Sequence, residues 1–145
     1  MRTPDITDLV NAEKKVAWTP PVGTDYSKNV WAPEIHNIDD NRYICVAADD
    51  GDNRNHRKFV LENTDQDPFE GEFKVKSCLK TDNQNNWAID GSVFEYCDTL
   101  YFIWSGWQRP KENVETQNIY ITIMSNPSPL KHERHHSLRV MALVF

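Results

Sequence analysis

The chain has 145 residues, 39% of them hydrophobic and 26% charged, with a formal net charge of -6. Length and balance fit one soluble domain with a core of its own. The acidic charge argues against nucleic acid or an anionic membrane as partner, and no apolar run approaches the length of a membrane span.

In chain order, MRTPDITDLV has neither the basic start nor the apolar stretch of a signal peptide. DITDLVNAEKK, residues 5–15, is the best helix candidate, short enough to be only a turn after an N-cap. Strand signals then dominate. EIHNI alternates and ends in the turn IDDN; RYICVAA follows, rich in β formers. HRKFVLENT reads as a third strand and GEFKVKSCL as a fourth, before the polar linker KTDNQNN. The order restarts with IDGSVFEY, a turn at CDT, LYFIWSGW, a polar loop and NIYITIMSN. Eight prolines and Asn/Asp-rich joints suit an all-β chain with many turns.

The restart is an internal repeat. WAPEIHNIDDNRYICVAAD lies over WAIDGSVFEYCDTLYFIWSG with a two-residue insertion at the turn. Trp31 and Trp87 are then 56 positions apart (31 to 87), and Phe59 and Ile119 are 60 apart (59 to 119). Four strands at this period describe a β-propeller blade, whose first strand lines the central axis. On that reading Trp31, Glu34, Trp87 and Asp90 stand at one mouth of an axial pocket. A propeller needs about four to eight blades to close. Two repeats and a leading piece, DITDLVNAEKKVAWTPP, predict an open part of a ring, with raw sheet edges through which copies of the chain would self-associate.

NVWAPEIHNIDDNRYICVAADDGDNRNHRKFVLEN, WAIDGSVF, LYFIWSGW and QNIYITIMSNPSPL together resemble the family 43 glycoside hydrolases, of the α-L-arabinofuranosidase type. The resemblance runs from about Asp5 to Leu130. It implies a five-bladed β-propeller, here partial, over residues 1–130, with 131–145 as a divergent or aberrant tail. That tail, KHERHHSLRVMALVF, reads as a frameshifted end, a mispredicted exon or a divergent strand. The resemblance also implies hydrolysis of arabinofuranosyl or xylosyl linkages in plant cell-wall polysaccharides by inversion, secretion, and no cofactor. Its partner would be an arabinose- or xylose-containing saccharide.

An inverting glycosidase needs a general base and a general acid about 6.5 to 9.5 Å apart, with room for a water. The family adds a third carboxylate that raises the acid's pKa and orients it. Asp90 in WAIDGSVF matches that third carboxylate. The base belongs to an inner strand before this chain begins, and the acid to one beyond its end. Glu70-Gly71-Glu72 reads as a turn, and Asp5 does not match the base. The 145 residues alone are therefore expected to be inactive. The competing reading is a carbohydrate-binding remnant without catalysis.

Candidate sugar contacts are Trp31, Glu34, Trp87, Trp104 and His56. Each has a structural reading beside it: core aromatics for the tryptophans, a paired acid for Glu34, a strand-start residue for His56. His36 shares a strand face with Glu34 and reads as structural. DDGDNRN fails the EF-hand spacing, and neither it nor His132, His135 and His136 is expected to hold a metal. Cys45, Cys78 and Cys97 cannot all pair with one another and are expected as buried or half-buried thiols.

Overall fold

A computed structural model of the chain describes residues 1–80, 84–107 and 117–124, and the backbone of 141–143. Among the described residues eight strands form two antiparallel sheets. The first holds β1 (Lys28–Ile38), β2 (Asn41–Asp49), β3 (Arg57–Asn63) and β4 (Lys74–Leu79) in chain order. The second holds β5 (Ala88–Tyr96), β6 (Thr99–Trp107), β7 (Gln117–Ile123) and β8 (Met141–Leu143) in the same order. Each sheet is one propeller blade, so the chain is all-β and a partial β-propeller. The expected strands are present. β8 pairs with β7 within the segment LRVMALVF, while residues 131–140 and 144–145 lie outside the described residues.

β2 is covered on both faces, which explains why VAA interrupts any polar alternation. On one face Val46 and Ala48 join Phe59, Leu61 and Phe73, and Trp18 and Tyr26 of the leading segment pack over them. On the other, Cys45 meets Ala88, Phe102, Trp104 and Tyr120, and Ala47 meets Trp87, Ile89 and Trp107. That second face is the seam between the blades.

Residues 5–15 form turns rather than a helix. The Asp5 carboxylate accepts from the backbone N–H of Thr7 at 2.8 Å, as a cap would. No helix propagates because Ile6 and Val10 stay largely exposed, and only Ala12 is buried. A segment this short needs an apolar face against the core to pay for its nucleation. It is tied down instead by polar contacts: Arg2 bridges to Glu13 and, at 2.8 Å, to Asp67.

The pairing corrects the register of the repeat. Both inner hairpins close with two-residue turns, Asp39–Asp40 and Cys97–Asp98, all four residues at positive φ. No insertion therefore sits at the turn. Ile38 pairs with Asn41 where Tyr96 pairs with Thr99, a repeat of 58 positions (38 to 96). Glu34 opposite Cys45 corresponds to Ser92 opposite Ile103, and the irregularity at Ala32–Pro33 corresponds to that at Asp90–Gly91. Trp31 thus stands where Ile89 stands, not where Trp87 does. The third strands are likewise 61 apart (60 to 121), since Cys45 pairs with Val60 and Ile103 with Ile121. Buried Phe59 corresponds to buried Tyr120, and Ile119 points outward. A one-residue slip exchanges the two faces of a strand.

Cys45 is buried and Cys78 half-buried, but Cys97 is exposed, because it occupies the first turn position of the β5–β6 hairpin.

Candidate functional site

β1 and β5 are neighbours across the seam. Each carries a bulge where a carboxylate strand would otherwise run flat. In β5 the bulge sets Asp90 at φ 52, a left-handed conformation that Asp tolerates better than most residues. Asp90 is exposed, and Gly91 follows it into the seam, buried. A Cβ on Gly91 would come within 2.6 Å of both Lys58 Nζ and the Phe102 ring. Glycine is therefore required for packing at this position, although its φ is ordinary.

Lys58 is the second residue of β3 and is 1% exposed. Its Nζ has no hydrogen-bond partner among the described residues and sits 5.8 Å from the centroid of Phe102. Burial lowers its pKa from 10.5 to about 8; Cys45, Asp90 and Glu34 act in the opposite direction. Glu34 keeps 46% of its side chain exposed, and its carboxylate is 3.6 Å from His36 Nε2. Burial lowers the His36 pKa against the pull of Glu34. Burial also pushes the Cys45 thiol up to about 11. Asp90 and Glu34, one on each blade, thus both favour the charged form of one buried ammonium.

A second constellation lies at the start of β1. His56 and Asp49 are both fully buried, with Nδ1 2.8 Å from the Asp49 carboxylate. Nδ1 is also 3.1 Å from the Asn53 carbonyl, and Nε2 is 2.9 Å from the Asn29 carbonyl. All these neighbours can accept from a ring N–H. The Asn29 amide and the Gly51 N–H complete the shell of Asp49. Trp31 stacks on the His56 ring at 4.0 Å between centroids and leaves 40% of its surface exposed. Trp87 meets the same imidazole edge-on and donates its indole N–H to Asn53 O at 2.8 Å.

The expected site residues thus fall into two groups. Asp90, Glu34 and Trp31 are accessible on the inner strands. His56, Trp87 and Trp104 are buried: His56 lies beneath Trp31, Trp87 stacks on Trp107 at 4.6 Å, and Trp104 stacks between Phe102 and Tyr120. Those three shape the site from behind and offer no open face to a sugar. Lys58, Asp49 and Asn29 were not singled out by the sequence. Among the described residues no cluster of His, Cys, Asp or Glu could hold a metal ion.

Two antiparallel blades, with two carboxylates and an aromatic ring on adjacent inner strands, make up part of a β-propeller. The profile of glycosyl hydrolases family 43 matches residues 1–140, and the chain belongs to that family. It is 32% identical over 126 residues to alpha-L-arabinofuranosidase 43 of Humicola insolens, covering 87% of this chain and 26% of that protein. It is 27% identical over 127 residues to an extracellular exo-alpha-(1->5)-L-arabinofuranosidase of Streptomyces chartreusis, covering 87% of this chain and 38% of that protein. The crystal structure of an alpha-L-arabinofuranosidase from Lactobacillus brevis superposes with a TM-score of 0.73 at 30% identity, over 93% of this chain and 42% of that one. The chain therefore spans well under half the length of these relatives.

Proposed function

We propose that the chain is part of a glycoside hydrolase that cleaves α-L-arabinofuranosyl linkages, or β-xylosyl ones, in plant cell-wall polysaccharides with inversion. Asp90 carries the reading: an accessible carboxylate on a bulge of an inner strand, in the motif WAIDG, on a chain of this family. Its role is to raise the pKa of a general acid on another blade and to orient it. Trp31 supplies an apolar face for a sugar ring, and Glu34 a hydrogen-bond acceptor beside it. The base and the acid come from segments outside these 145 residues. Secretion fits the extracellular arabinofuranosidases of Streptomyces among its relatives.

The 145-residue chain alone is expected to release no nitrophenol from aryl arabinofuranosides above background. In a protein extended by the flanking blades, Asp90→Asn is expected to reduce kcat by about 100-fold or more. Turnover by the short chain that vanishes in Asp90→Asn would show that the catalytic groups are placed wrongly.

A binding role without hydrolysis is favoured by one observation, the exposed ring of Trp31 over a rigid base. Titration calorimetry with arabino-oligosaccharides separates the two readings, since binding lost in Trp31→Ala without any turnover by the extended protein supports the second.

β1 exposes Val30, Trp31 and Ile35, and β5 exposes Phe94 and Tyr96. Apolar strands of this kind recruit other chains. Size-exclusion chromatography of the 145-residue chain is expected to show species larger than a monomer. A monodisperse monomer with one cooperative thermal transition would contradict that expectation.

A further inference from the structure

A lysine sealed in a seam between two sheets is costly unless something offsets its charge. Lys58 has no hydrogen bond to do so, and no carboxylate within ion-pair distance among the described residues. What it has is a chamber: Phe102 on one side, and on the other the gap left by the missing Cβ of Gly91. That gap opens directly behind Asp90. We infer that Lys58 is a positioning residue for Asp90, its buried ammonium acting as the countercharge that holds the carboxylate on its bulge. This rests on the assignment of Asp90 to the site.

The arrangement gives each part a reason. The bulge turns Asp90 outward while keeping its backbone over the lysine. Gly91 lets the ammonium rise to the level of that backbone. The other titratable groups acting on Lys58 are Cys45 beneath it and Glu34 on the neighbouring blade, with His36 beside Glu34. The Cys45 thiol is held neutral by burial, with its pKa pushed up to about 11, so at neutral pH the carboxylates are the countercharges. Simple gap filling would not need a cation: a methionine fills the same space.

The test reads the lysine directly, by NMR titration of the Lys58 Nζ and Cε signals in the 145-residue chain. The midpoint in the unaltered chain is expected near 8. In Asp90→Asn it is expected to fall, and in Glu34→Gln to fall by less. An unmoved midpoint in Asp90→Asn, or a larger fall in Glu34→Gln, overturns the assignment. Should Asp90→Asn fail to fold, adding Lys58→Met is expected to restore folding, because the uncompensated cation is then gone. A double variant as unfolded as the single one also overturns it. None of these readings needs activity, so a chain that proves not to be a hydrolase leaves the test intact. For the enzyme itself, Lys58→Met in the protein with its flanking blades is expected to move the pH profile of kcat, and Lys58→Arg to bring it part of the way back.

Discussion

His56→Ala is expected to lower the stability of this chain by about 3–5 kcal/mol, a large share of a small domain's total. Asp49 is fully buried, and the imidazole of His56 is its closest partner, at 2.8 Å. Removing the ring leaves a carboxylate out of water with only the Asn29 amide and the Gly51 N–H. It also strands the Asn29 carbonyl and removes the platform under Trp31. Urea denaturation followed by circular dichroism measures the loss. The companion variant Asp49→Asn with His56→Ala is expected to recover part of it, since no buried charge then remains. A loss below about 1 kcal/mol in His56→Ala would mean that Asp49 does not depend on the imidazole.

Lys58→Met is expected to do the reverse. The folded chain holds Lys58 at a pKa of about 8 against 10.5 for a free lysine. Between those values the unfolded chain binds more protons than the folded one, so stability rises with pH across that window. Below about pH 8 the cost is fully present, and for a group this deeply buried it amounts to about 3 kcal/mol. At pH 7 the methionine variant should be more stable by roughly that amount. At pH 10 the advantage should shrink below about 1 kcal/mol. Cys45 titrates in both proteins, so the difference between them isolates Lys58. An advantage that stays constant from pH 7 to pH 10 would show that it comes from packing and not from charge. Any activity lost alongside the gain would be the usual exchange between a stable core and a poised site.

Much of the fold was legible because blade strands advertise themselves. EIHNI, RYICVAA and LYFIWSGW carry β-branched and aromatic residues between Asn/Asp turns, and those turns fell where expected. Register was less legible. Tryptophans drew the superposition onto Trp31 and Trp87, whereas strand pairing follows turn geometry and bulges, which two similar sequences do not reveal. Asp90 and Glu34 were readable as accessible carboxylates on inner strands. His56 was noticed as a strand-start residue or a sugar contact; it lies buried against Trp31. Asp49 was invisible, since it opens the run DDGDNRN, whose composition suggests a solvated loop. Only the return of β1 past it, with Asn29 in a left-handed conformation, makes it interior. Lys58 was hidden by the same logic. In RKFVLEN the lysine stands next to Arg57 at the charged start of the strand, ahead of the apolar run Phe59 to Leu61, as if both cations were solvated. A central blade strand is covered on both faces, so the lysine is buried, and its charged neighbour could not show that.

The parallel stack of Trp87 and Trp107 has an optical consequence. Their rings lie 4.6 Å apart and 12° from coplanar, one opening the second blade and the other closing its second strand. Two indoles held that close share their electronic excitations, so the pair should give a coupled band of opposite lobes in far-ultraviolet circular dichroism. Both rings pack on Ala47 of the first blade. That band would therefore report the docking of one blade on the other, separately from the β-sheet signal, which each blade would retain if the two came apart.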